Sequence, residues 1–157
     1  MTSAASPNGV LQRGFVASQS DATRLQFAPG VDGVADVRAF LDATDYATET
    51  VYFEARPVRA CYELDLCAVR WTPNSVHTSY GSYYRDADVA CTAGETDRST
   101  WFVRLPAAID PGAVDEWGSG WSSTGCPVPR SVAENRTSGG PVDAGPLPAN
   151  GSGGTGR

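Results

Sequence analysis

The chain has 157 residues, with 12 Arg, no Lys and 18 acidic residues, for a net charge of −6; 41% of it is apolar and 19% charged. That size suits one ordinary domain, or a smaller domain with tails. An acidic chain without a basic cluster cannot neutralise phosphates, which excludes nucleic acid as the expected partner. No run of eighteen apolar residues exists, so no membrane span is expected. No Walker loop, dinucleotide fingerprint, HExxH, GxSxG or EF-hand spacing appears, so no cofactor and no metal is expected.

Residues 1–21 are small and polar except for Val10, Leu11, Phe15 and Val16. The start, Met1 to Pro7, lacks the basic and apolar regions of a secretory leader. The segment reads as a flexible N-terminal arm. Its short apolar stretch, Leu11 to Val16, suits strand addition to a partner's edge, with packing on its own domain as the plainer alternative. The Arg13–Gly14 bond also suits a trypsin-like protease, as bait or as a processing site.

Residues 22–127 read as the folded domain. Twelve of the fifteen aromatic residues lie between Tyr46 and Trp121. This segment holds eight Arg against fifteen acids, a balance of −7, so the acidity belongs to the domain. Val34, Val37, Phe40 and Leu41 follow helical spacing, which predicts one short helix near 34–42, with a strand over 37–41 as the alternative.

Beyond it the period is two. Val51, Phe53 and Ala55 alternate with Thr50, Tyr52, Glu54 and Arg56, predicting a half-buried strand ended or confined to an edge by Pro57. Cys67, Val69 and Trp71 share the next face, and Thr72-Pro73-Asn74-Ser75 reads as a turn. Ser75 to Tyr84 is rich in aromatic and β-branched residues. Asp86 to Cys91 alternates, and Trp101, Val103 and Leu105 form a last inward face, closed by Pro106. Short strands between turn signals predict an all-β fold, a small antiparallel β-sandwich or barrel.

The four cysteines are Cys61, Cys67, Cys91 and Cys126. Their spacing does not match the close pairs of a zinc site, so two disulfides and an oxidising compartment are expected. On a straight strand Cys61 and Cys67 would lie about 20 Å apart. A turn at Glu63–Asp65 would let them pair, leaving Cys91–Cys126; this connectivity is slightly favoured over the other two. From 128 to 157 the chain is rich in Gly, Pro and Ser, reads as a disordered tail or linker, and carries two glycosylation sequons, at Asn135 and Asn150. The absence of Lys with abundant Ala and Gly suggests a GC-rich, bacterial genome.

Catalytic signals are thin. His77 is the lone histidine, flanked by Ser75 and Ser79 on one strand face, with no nucleophile elbow. Paired carboxylates at Asp42 and Asp45, Asp86 and Asp88, and Asp115 and Glu116 read as a solvated acidic face. Two aromatic groups carry more: Tyr80, Tyr83 and Tyr84 around Gly81-Ser82, and Trp117 and Trp121 around Gly118-Ser119-Gly120. Exposed, such rings stack on sugars or anchor a protein; buried, they fill the core.

The sequence therefore predicts a secreted, non-enzymatic interaction or assembly module, such as an adaptor subunit. It would dock on another secreted or cell-surface protein through Leu11, Arg13, Phe15 and Val16. Two alternatives remain. One is a carbohydrate-binding module using Tyr83, Tyr84, Trp117 or Trp121, and the other is an inhibitor of a trypsin-like protease.

Overall fold

The computed structural model describes residues 3–5, 11–85, 90–126 and 142–143. In chain order the elements are β1 (Ser3–Ala5), β2 (Leu11–Val16), α1 (Gln19–Arg24), α2 (Val34–Asp42), β3 (Thr50–Arg59), β4 (Tyr62–Thr72), β5 (Ser75–Tyr84), β6 (Thr96–Leu105), a 3-10 turn (Pro111–Ala113), β7 (Glu116–Ser122) and β8 (Val142–Asp143). The strands form two sheets, ordered β1-β2-β3-β6-β8 and β4-β5-β7. The fold is mostly β with two disulfides, as the alternation and cysteine count predict. The alternating run Asp86 to Cys91 falls largely outside the described residues, as do both sequons and the tail apart from the backbone of β8.

Two compact units emerge. The first combines Met1–Ala55, Thr100–Ala113 and Gly140–Gly145; the second combines Arg56–Ser99, Val114–Gly139 and Pro146–Arg157.

The first unit is built on β2 and β3, antiparallel in register from Arg13 opposite Glu54 to Val16 opposite Val51. Its core joins Val16, Ala22, Leu25, Val37, Leu41, Val51, Phe53 and Phe102. The helix predicted over 34–42 is α2, which starts at Gly33 and buries Val37 and Leu41. Helix α1 is an addition that apolar period does not signal. Ser18 caps it by accepting a hydrogen bond from the Asp21 amide at 3.1 Å, and Asp21 accepts from the Ala17 amide at 3.3 Å. The first bond satisfies an amide that the helix start otherwise leaves orphaned, and the second ties the residue before the cap back onto the first turn. Arg38 on α2 then closes the other end of α1 by donating to the Ala22 and Leu25 carbonyl oxygens, at 2.7 and 2.5 Å.

Strand β3 differs from its half-buried reading. Thr50, Tyr52 and Glu54, on its polar-looking face, are as buried as Val51 and Phe53. Burial is tolerated because the groups find partners. The Thr50 hydroxyl donates to the Ala107 carbonyl oxygen and accepts from the Ile109 amide, both at 2.8 Å. The Tyr52 ring packs on Phe15, with centroids 5.5 Å apart. Nor does Pro57 end the strand, which runs through it to Arg59.

The second unit contains the sheet β4-β5-β7. Strands β4 and β5 form a hairpin about Pro73-Asn74, with Thr72 opposite Ser75. The register slips by one residue at Cys67, between the pairs Leu66–Tyr80 and Ala68–Ser79. Strand β7 joins β5 in parallel, Ser75 opposite Glu116 through Gly81 opposite Ser122. The β-rich fold with antiparallel pairs at β1–β2, β2–β3 and β4–β5 thus also contains two parallel pairs, β5–β7 and β6–β8. Chain order explains the first: β6 and the 3-10 turn lie between β5 and β7, enough chain to return and re-enter the sheet in the same direction.

Candidate aromatic recognition face

The disulfides join Cys61 to Cys91 and Cys67 to Cys126, each with Cα atoms 5.3 Å apart. This corrects the favoured pairing of Cys61 with Cys67. No turn forms at Glu63–Asp65; those residues lie inside β4, where an extended backbone carries Cys61 and Cys67 away from each other. Both cysteines reach to other segments instead. Two disulfides mark an oxidising environment.

The bulge at Cys67 decides which side chains share a face. A slip of one residue reverses the alternation of β4 relative to β5. Beyond the bulge Ala68, Arg70 and Thr72 oppose Ser79, His77 and Ser75; before it Tyr62, Leu64 and Leu66 oppose Tyr84, Ser82 and Tyr80. Cys67 therefore drops out of the expected Val69–Trp71 row. Without the bulge, Tyr62 would emerge on the face opposite Tyr84. With it, the two rings stack with centroids 4.6 Å apart and planes inclined by 31°. The Tyr62 hydroxyl donates to Tyr84, and this bond, followed by partial desolvation, pushes the Tyr62 phenol above its ordinary value of 10.0.

Strand β7 supplies a third ring to this face. Trp117, Ser119 and Trp121 oppose Val76, Thr78 and Tyr80, and the Thr78 and Ser119 hydroxyls bond at 2.7 Å. Trp121 is 73% exposed and Tyr84 is 76% exposed, the largest rings so open among the described residues. Between them Tyr80 and Ser82 are buried, and the Arg56 guanidinium covers the Tyr80 ring at 5.2 Å. Trp121 lies beside Tyr80, four residues from Tyr84 along β5. Strand geometry then separates the Trp121 and Tyr84 Cα atoms by about 14 Å. Neighbouring contacts hold the Tyr62–Tyr84 end in place. Arg85 donates through its amide to the Cys61 carbonyl oxygen at 3.0 Å and through Nε to that of Tyr62 at 3.2 Å.

Leu64, Val69, Val76 and Thr78 are also buried on this side, whereas the opposite face carries the exposed Glu63, Arg70 and Thr72 beside Tyr83 and His77. Tyr83 points there and donates its hydroxyl to the buried Asp65 carboxylate. Its ring also lies against Gly125, whose φ of 83° favours glycine. Gly81 leaves room for the crossing backbone of Gly125 and Cys126, which a Cβ at Gly81 would strike. His77 lies against Gly118, with Nε2 3.2 Å from the Glu116 carboxylate. Ser75 bonds the Thr72 hydroxyl at 2.7 Å, so it is held in the hairpin turn. Asp42 accepts from Gln19 at 3.0 Å, and Asp45 accepts from the Ala47 amide at 3.1 Å. Among the described residues, no three His, Cys, Asp or Glu side chains converge as metal ligands. Asp86 and Asp88 lie outside those residues.

The predicted site residues therefore separate. Tyr84 and Trp121 are exposed on one face; Trp117 shares that face but is half-buried, and Tyr83 belongs to the other. Tyr62, which the sequence reading did not single out, joins Tyr84 because of the bulge. Two of the arm residues, Phe15 and Val16, are corrected. Phe15 and Val16 are fully buried in β2, so they cannot also be side-chain anchors for a partner. Arg13 and Gly14 pair with β1 on one side and β3 on the other, so their bond lies within the sheet rather than in the exposed loop a protease requires. Leu11 begins β2, where its backbone opposes Ala5 of β1. No protein-family model matches the chain, and no curated protein and no solved structure matches it.

Proposed function

We propose that the protein is a secreted, non-enzymatic carbohydrate-binding module whose recognition surface is the Tyr62, Tyr84 and Trp121 face of β4-β5-β7. The observation that carries this reading is the pair of open rings, Tyr84 and Trp121, on one face of one sheet. Large aromatic rings are normally mostly buried, and leaving two in water calls for a reason. Their arrangement suits a chain of sugars better than a protein. A protein hot spot clusters its anchors at the centre of one desolvated patch. Here the two open rings rise from Cα atoms about 14 Å apart, so separate units of one polymer can stack on each. The acidity of the folded segment favours neutral or amino sugars over acidic polymers. The disulfides suit a secreted protein.

The arm-docking and protease-inhibitor readings lose support, since Phe15, Val16 and the Arg13–Gly14 bond are engaged inside the first unit. Deleting residues 1–21 would also remove β2 and part of the core, so it is no test of docking. The suitable test is co-sedimentation of the full chain with insoluble cellulose, chitin and peptidoglycan. Saturable retention on one of them, lost in both Tyr84→Ala and Trp121→Ala, supports the proposal. Retention on none, or retention indifferent to both substitutions, refutes it.

A further inference from the structure

We propose that Tyr62 and Tyr84 form an oxidative cross-linking site, coupling to an intramolecular dityrosine that closes the open end of the β4–β5 hairpin. The geometry needed is already present. The two residues are register partners on neighbouring strands, with ring centroids 4.6 Å apart and planes only 31° from parallel. At that separation the two rings are in contact, and rotation about the side-chain bonds brings the ring carbons beside the two hydroxyls within bonding reach. Tyr84 is 76% exposed, so an oxidant can reach it. The other tyrosines of this sheet are differently placed: Tyr80 is buried under Arg56, and Tyr83 faces the opposite side, bonded to Asp65.

The chemistry balances with a peroxide acting through a haem peroxidase. Each phenol gives up one hydrogen atom. The two phenoxyl radicals join through a carbon–carbon bond between ring positions ortho to oxygen, and the ring hydrogens there return to the oxygens by tautomerisation. The peroxide accepts the two electrons and two protons and leaves as two waters. Both hydroxyls survive. The bond would add a second covalent tie next to Cys61–Cys91, at the end of the hairpin remote from its turn at Pro73-Asn74.

This inference is independent of the carbohydrate reading, because it concerns the Tyr62–Tyr84 pair alone and is tested without a ligand. The disulfide-intact chain, at about 10 µM, is treated with a haem peroxidase and hydrogen peroxide. Groups held in contact react with an effective concentration of millimolar or more, so coupling within the chain should exceed coupling between chains by about 100-fold. After reduction, trypsin releases Tyr62 in peptide 60–70, where it is the one tyrosine, and Tyr84 in peptide 71–85. The expected product is monomer with dityrosine fluorescence, containing these peptides joined through Tyr84. Tyr84→Phe, an exposed and conservative change, should cut the monomer fluorescence at least about tenfold with an unchanged circular dichroism spectrum. The inference is overturned by any of three results: no dityrosine in the monomer, a link through Tyr80 or Tyr83, or an undiminished yield in Tyr84→Phe.

Discussion

Replacing Cys67 and Cys126 together by Ala tests the covalent frame of the second unit. The disulfide between them closes a loop of 59 residues, against 30 for Cys61–Cys91. Restricting the unfolded chain by a loop of that size is worth about 4.2 kcal/mol, against about 3.6 for the shorter one. The two loops interleave along the chain, so these values do not add. The double variant should therefore lose about 4 kcal/mol, roughly a 15 °C fall in melting temperature for a chain of this size. Denaturant unfolding monitored by tryptophan fluorescence measures the loss, and thiol titration of the unfolded, unreduced chain counts free sulfhydryls. The structure predicts none, because Cys61–Cys91 survives. Had Cys61 paired with Cys67, and Cys91 with Cys126, the same variant would break both bridges and expose two thiols. Two thiols, or a loss below about 1 kcal/mol, would refute the connectivity or its role.

Three further consequences concern packing and protonation. Gly81→Ala places a Cβ against the Gly125 and Cys126 backbone and should destabilise by about 3 kcal/mol, while Gly120→Ala, which meets nothing within 4 Å, should be near neutral; paired chemical denaturation curves decide this. Phe15→Ala should cost about 3–5 kcal/mol, as expected of a core residue and not of a docking arm, and an unchanged unfolding midpoint would restore the arm reading. Burial raises the Tyr46 phenol above its ordinary 10.0, and its hydroxyl donates to the Leu41 carbonyl oxygen at 2.9 Å. The folded state thus holds this proton more tightly than the unfolded state. The resulting stability is complete below pH 10 and declines as pH rises through the folded value, and Tyr46→Phe should flatten that alkaline decline.

Much of the architecture was legible because it depends on local pattern. The helix at Val34–Asp42, the turn at Pro73-Asn74 and the end of β6 at Leu105 follow from spacing and turn chemistry. What escaped depends on chain segments meeting at a distance. The polar face of β3 looks solvated until Phe15, Ala107 and Ile109 supply its partners. Helix α1 carries a sign, the Ser18-Gln19-Ser20-Asp21 spacing of a capping box, but among small polar residues with no apolar period that spacing is weak. Within the candidate site, Tyr84 and Trp121 were visible as aromatics beside glycines. Tyr62 was not, since its pairing depends on a bulge at Cys67 that alternation alone does not reveal. Tyr83 resembles Tyr84 in sequence yet points the other way, as adjacent strand residues must.

The most direct measurement of the central claim is the accessibility of Trp121 in the presence of a sugar polymer. Iodide quenches exposed indoles, and Trp121 is the most open ring of its kind among the described residues. Titrating soluble oligomers of whichever polysaccharide retains the protein should protect a quenchable fraction that is absent in Trp121→Phe. Tyr84→Ala should weaken the apparent affinity by about tenfold, the equivalent of about 1.4 kcal/mol. Quenching that is unchanged by saturating oligomer, with Trp121 still open to iodide, would contradict the account.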